Sequence, residues 1–193
     1  MCYTSLILQD EPKHQVVHLH GGRVAFLMIL RPKDSRFERY VILIEQPRTG
    51  ARSTSFLEIP AGMLDDSDEV KGQAIKEIQE ETNLKISKED LIDMTKLAFE
   101  KTGTGLDENI PLLLWEKDLD RKEIESLKGR LTGERTQDER TTPRICDYED
   151  LWKEGARDSK ALAARALYEG LHRTGRIEDE LLKVRQGRLG RLR

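Results

Sequence analysis

Glu77, Glu80 and Glu81 stand in the run Lys76-Glu77-Ile78-Gln79-Glu80-Glu81-Thr82-Asn83-Leu84, behind a Pro60-Ala61-Gly62 turn. At roughly 100° per residue the three carboxylates share a helix arc of about 100°. Like charges at this spacing destabilise an isolated helix by about 0.2–0.5 kcal/mol per pair. They also lie in the last turn before Asn83, where the helix dipole disfavours anions. Stability alone would spread such charges or interleave lysines. A divalent cation turns the arrangement from a cost into a site, because hard carboxylate oxygens suit Mg²⁺, with Mn²⁺ as a substitute.

The elements that must position these acids can be read around them. Asp66 to Asp68 offer helix N-caps, and Val70, Ala74, Ile75 and Ile78 form the apolar stripe of the helix they open. Glu81 borders that stripe and is expected to be half-buried. Asn83 suits the helix end, since it tolerates the left-handed conformation. Upstream, Arg23–Leu30, Tyr40–Glu45 and Phe56–Ile59 read as strands, the last stopped by Pro60. Downstream, Leu91–Phe99 and Ile110–Trp115 read as strands and Lys122–Leu127 as a short helix. Asp158 or Ser159 caps a longer helix whose stripe is Leu162, Ala166, Leu167 and Leu171, ending at Gly175. Strands alternating with long helices indicate an α/β domain. The expected layout is one domain over 1–175, with a short N-terminal strand region at 1–22. A basic, flexible C-terminal tail is expected at 176–193.

Composition narrows the function classes. With 193 residues, 37% hydrophobic and 36% charged, the chain suits one well-solvated domain. A formal charge of −3 gives no electrostatic case for nucleic acid. Cys2 and Cys146 are too few for a disulfide framework, which favours a reducing compartment. The longest apolar run, Val24 to Leu30, is far short of a membrane span, and Met1 to His14 has no secretory pattern. An intracellular, cytoplasmic protein with no membrane partner is expected. His18 and His20 alternate on a strand surface and read as no zinc site. Trp115 and Trp152 read as core or interface residues.

The run from Gly62 to Leu84 resembles the Nudix box, G-x5-E-x7-R-E-U-x-E-E-x-G-U, where U is a bulky aliphatic residue. Gly62, Glu77, Ile78, Glu80, Glu81 and Leu84 match in register, while Asp68, Lys76 and Asn83 replace the pattern's Glu, Arg and Gly. Lys76 keeps the charge but loses the planar fork of arginine. More of the chain is similar to the ADP-sugar pyrophosphatases of that family. The likeness is carried by Glu45-Gln46-Pro47-Arg48, by Leu57-Glu58-Ile59-Pro60-Ala61-Gly62-Met63-Leu64, by Asp107-Glu108 and by Tyr148-Glu149-Asp150-Leu151-Trp152.

The resemblance implies an α/β/α sandwich around a mixed β-sheet. It also implies Mg²⁺-dependent cleavage of a nucleoside diphosphate sugar to a nucleoside monophosphate and a sugar 1-phosphate. It points to Ala61 (through its carbonyl), Glu77, Glu80 and Glu81 as metal ligands, and to Glu80, Glu81 and Glu108 as catalytic groups, with Asp107 able to replace Glu108. Arg48, Gly62 and Asp107 would meet substrate. For Glu108 a plain turn carboxylate stands as the alternative, and for Arg48 an exposed loop arginine. Glu58 could support the metal site or form a structural ion pair. Relatives of this kind are often homodimers. The stretch Glu100 to Leu106 is shorter than theirs, so an ADP-ribose or other nucleoside diphosphate-linked diphosphatase stays open. So does a catalytically weak nucleotide-binding module.

Overall fold

The structure, a computed structural model, describes residues 3–8, 11–16, 22–64, 70–82, 84–99, 110–128 and 141–191. Strands β1 (Tyr3–Leu8) and β2 (Glu11–Val16) pair antiparallel as a separate two-stranded sheet. Strand β3 (Gly22–Pro32) is the spine of the main sheet, because its alternate residues are apolar on both faces. Val24, Phe26, Met28 and Leu30 point into one core cluster, and Ala25, Leu27 and Ile29 into another. Strand β4 (Tyr40–Arg48) divides in the same way, with Ile42 on the first side and Val41 and Leu43 on the second. Then come β5 (Ser53–Glu58), β6 (Ala61–Leu64) and helix α1 (Val70–Thr82). Strand β7 (Leu91–Asp93), helix α2 (Met94–Phe99), strand β8 (Leu112–Leu119) and helix α3 (Arg121–Leu127) follow. The chain continues through β9 (Thr142–Asp147), α4 (Leu151–Glu154), α5 (Ser159–Arg173) and α6 (Arg176–Arg191).

The main sheet runs β5-β4-β3-β8-β7, with β6 added to β3 and β9 to β4. Among the described strands only β3 and β8 pair in parallel, so the sheet is mixed. Ala74, Ile75 and Ile78 of α1 and Ile124 of α3 cover one face; Met94 of α2 and α5 and α6 cover the other. This is an α/β/α sandwich.

Four expectations change. Leu91–Phe99 is a strand only to Asp93, whose Oδ1 accepts the Lys96 amide at 2.9 Å and so starts a helix turn with Met94 buried. Ala61 and Gly62, read as part of a turn with Pro60, instead open a strand, Ala61–Leu64, held to β3. The long C-terminal helix is present, but it buries Ala161, Ala164, Tyr168 and Leu171, leaving Leu162 and Ala166 exposed. Small alanines there let α5 approach the sheet, and the buried tyrosine hydroxyl reaches Glu116 at 3.3 Å. Of the expected stripe, Leu171 is buried and Leu167 packs against the core, while the buried face turns toward Ala161 and Ala164 and away from Leu162 and Ala166.

The flexible tail is the fourth correction. Residues 176–191 form α6, with Ile177 and Leu181 buried in the same core as α5. Arg185 and Arg188 bind the Glu116 side chain and carbonyl at 3.0 and 2.9 Å. The apolar positions are few and set among charges, so composition conceals a docked helix. Trp115 is fully buried, whereas Trp152 is largely exposed.

Candidate active site

Strand β3 changes partner along its length. Gly22 to Ala25 pair with Leu64 to Ala61 of β6, and Ile29 and Leu30 pair with Val41 and Tyr40 of β4. Between these points the sheet branches, because β4 leaves β3 to pair with β5, while β9 runs along the other edge of β4 from Tyr40 to Glu45. The segment Glu58-Ile59-Pro60-Ala61 crosses from β5 to β6 at the branch. It is pinned on both sides of Pro60: the Ile59 amide donates to Asp158 Oδ2 at 3.0 Å, and the Phe26 amide donates to the Pro60 carbonyl at 2.8 Å. Gly62 is buried opposite Val24, and Ala61 is half-buried opposite Ala25.

Helix α1 lies against β6, held by the buried Ala74, Ile75 and Ile78. Two polar contacts secure its C-terminal end. Thr82 Oγ1 donates to the Ile78 carbonyl at 2.6 Å, and Gln79 Nε2 donates to the Ile86 carbonyl at 2.8 Å. Glu81 is half-buried, as its place beside the apolar stripe requires, while Glu80 and Lys76 are exposed. Glu77 belongs to α1, but its side chain, like Asp107 and Glu108, lies outside the described residues. Among the described residues no three His, Cys, Asp or Glu side chains converge as a metal-binding group. The expected ligands, Glu77, Glu80, Glu81 and the Ala61 carbonyl, are all oxygen donors, the chemistry that a hard divalent cation takes.

Beside the branch a buried carboxylate gathers cations. Glu58 is 5% exposed at the end of β5. Its Oε1 accepts from Gln46 Nε2 at 2.7 Å, and from Arg48 Nε and Nη2 at 2.7 and 2.6 Å. Its Oε2 faces Lys160 Nζ at 3.3 Å. Lys160 also binds Asp158 Oδ1 at 2.7 Å, and Asp158 caps α5 by accepting the Lys160 amide. Of the two readings left open for Glu58, the ion pair is the one present: Arg48 and Lys160 occupy both its oxygens. Arg48 is not a solitary loop arginine, since one edge of its guanidinium rests on Glu58 and its side chain stays 47% exposed.

Asp158 and Lys160 are residues that the chain alone gave no reason to place here, whereas Gln46 stands two residues before Arg48 on the same strand. Asp158 reads as a helix cap, and Lys160 lies about a hundred residues from Glu58 with no spacing to link them. The available signal was indirect: a strand glutamate next to buried Ile59 and Pro60 must find cations. Gly155 shapes the turn that delivers Asp158. A Cβ there would stand 3.0 Å from Ala161 Cβ and 3.1 Å from the Leu151 carbonyl oxygen. Among the described residues no helix is long and apolar enough to cross a membrane.

Comparison with known proteins places this geometry in context. Residues 21–167 match the NUDIX domain. Nudix hydrolase 14, chloroplastic, of Arabidopsis thaliana is 35% identical over 176 residues, which cover 87% of this chain and 55% of that protein. The chain thus spans about half the length of the curated relative it matches. The crystal structure of an ADP compounds hydrolase superposes with a TM-score of 0.52 at 15% identity, over 90% of this chain and 86% of the other, a likeness of fold.

Proposed function

The chain belongs to the NUDIX domain family, and from that premise we propose that it hydrolyses the pyrophosphate bond of a nucleoside diphosphate sugar, of the ADP-sugar type, in a metal-dependent reaction. The products would be a nucleoside monophosphate and a sugar 1-phosphate. The observation that supports this reading is that α1, which carries Glu80 and the half-buried Glu81, packs against β6, the strand of the buried Gly62 and the half-buried Ala61.

Cleaving a pyrophosphate requires its oxygens to be neutralised, a water to be aimed and the leaving phosphate to be stabilised. Glu77, Glu80, Glu81 and the Ala61 carbonyl would hold Mg²⁺ or Mn²⁺, which when bound supplies charge neutralisation at the pyrophosphate oxygens. Arg48, steadied by Glu58, offers a forked cation to phosphate. Gly62 keeps the backbone bare of a side chain beside the substrate. Glu80, Glu81 or Glu108 would accept the proton of the attacking water as its oxygen bonds to phosphorus and the bridging P–O bond breaks. The name of the plant relative, a Nudix hydrolase, accords with this chemistry.

The test is turnover of ADP-glucose, ADP-ribose and UDP-glucose with Mg²⁺ or with EDTA, read as phosphate freed from the products by phosphatase. Product is expected only with metal, and Glu81→Gln is expected to lower kcat by about 10²–10⁴-fold while leaving the circular dichroism spectrum unchanged. A folded Glu81→Gln protein with normal turnover would remove Glu81 from the mechanism. No product from any of the three would overturn the substrate class.

A further inference from the structure

We propose that Asp158 and Lys160, at the start of α5, are positioning residues for the candidate active site, and that they set its phosphate-binding arginine and its Pro60-Ala61-Gly62 segment together. The inference rests on the reading of the site as a nucleoside diphosphate sugar hydrolase. Its basis is a chain of contacts between elements far apart in sequence.

Asp158 is 3% exposed and divides its two oxygens between tasks. Oδ2 takes the Ile59 amide, one residue before Pro60, and Oδ1 takes the amide and the ammonium of Lys160. The same ammonium reaches Glu58 Oε2 at 3.3 Å, and Glu58 Oε1 orders Arg48 and Gln46. Two buried carboxylates and two cations thus form a neutral unit, and charge-assisted bonds of this kind carry directional information. Cation and cap lie on one helix, so α5 holds the Arg48 fork and the Ile59–Gly62 segment in one register. Without Lys160, Glu58 keeps its contacts on Oε1 but loses the one on Oε2. The plane of its carboxylate is then less firmly fixed, and the Arg48 edge resting on it loses part of its set direction. A pyrophosphate would then meet a misaimed cation, and misplacement of a positioning group by about 1 Å can cost about a hundredfold in rate.

Lys160→Met alone leaves two buried carboxylates with one cation and could fail to fold. The double variant Asp158→Asn/Lys160→Met restores charge balance, and Asn keeps both the helix cap and an acceptor for Ile59. Steady-state kinetics with ADP-glucose are expected to show a KM raised about tenfold or more in the double variant, with kcat less affected. Lys160→Arg is expected to recover most of the loss. Binding of a methylene-bridged, non-hydrolysable ADP-glucose analogue with Mg²⁺ should weaken in parallel, and the Ile59 amide should exchange faster in Asp158→Ala than in the wild type. Kinetics and analogue binding within twofold of wild type in the folded double variant would overturn the proposal. A wild-type protein that neither turns over nor binds these nucleotides would instead overturn the assigned function.

Discussion

Glu116→Gln tests the buried charge cluster that joins β8 to β3 and α6. The Glu116 side chain is 2% exposed in the middle of β8. It meets Arg31 Nε at 2.9 Å in a close charge contact, Arg185 Nη2 at 3.0 Å, and the Tyr168 hydroxyl at 3.3 Å. Arg31 is 19% exposed and has little water to return to, whereas Arg185 is 46% exposed. Breaking a buried pair by removing one partner costs about 3–5 kcal/mol. Arg185, nearly half in solvent, adds at most about 1 kcal/mol. Gln keeps the shape and one acceptor oxygen, which puts the expected loss at the low end, about 3 kcal/mol. For a chain of this size that is a Tm lower by about 6–12 °C.

Urea unfolding of the wild type, Glu116→Gln, Arg31→Met, Arg185→Met and the two double variants measures the loss and divides it. The coupling energy with Arg31 is expected to exceed that with Arg185 by about 1 kcal/mol or more. Glu116 pairs with Ile29 of β3 and Ala61 with Ala25, so they stand about 13 Å apart along the strand. KM for substrate is therefore expected to hold in Glu116→Gln. A loss below about 1 kcal/mol, or a larger coupling to Arg185 than to Arg31, would refute the reasoning.

Leu181→Ala, at a buried position of α6, should destabilise by about 2–3 kcal/mol in the same urea assay; a change under about 0.5 kcal/mol would mean that the helix does not dock. Burial, with Glu154, Asp147 and Asp150 nearby, pushes the Cys146 thiol up to about 12. In a Cys2→Ser background Cys146 should react with a disulfide reagent at pH 8 at least about a hundredfold more slowly than in urea, because the thiolate is the reactive form. The unfolded thiol ionises first as pH rises, so this group's contribution to stability is present below its unfolded pKa, about 9, and is lost between there and about 12. Equal rates in the native and unfolded protein would contradict the burial.

The chain by itself determined the acidic and apolar sides of one helix and the class of the fold. The spacing of Glu77, Glu80 and Glu81 beside Ala74, Ile75 and Ile78 is local, and helix periodicity converts it directly into an acidic face on a buried stripe. The runs Val24–Leu30 and Val41–Ile44 are apolar at every position, which is what a sheet covered on both faces demands. What the tertiary structure decided depends on residues distant in sequence. Whether Glu58 faces a metal or a cation turned on Lys160, which only the packing of α5 delivers. The face that α5 buries was set by the fit of Ala161 and Ala164 to the sheet and by a partner for the Tyr168 hydroxyl, neither visible in hydrophobicity. Residues 176–191 read as a solvated tail because charged residues dominate them. They dock because Ile177 and Leu181 enter the core beside α5, while Arg185 and Arg188 reach the Glu116 side chain and carbonyl from α6. Helical and strand periodicities are short-range and survive in a sequence; the pairing of buried charges across the core is a property of the assembled layers.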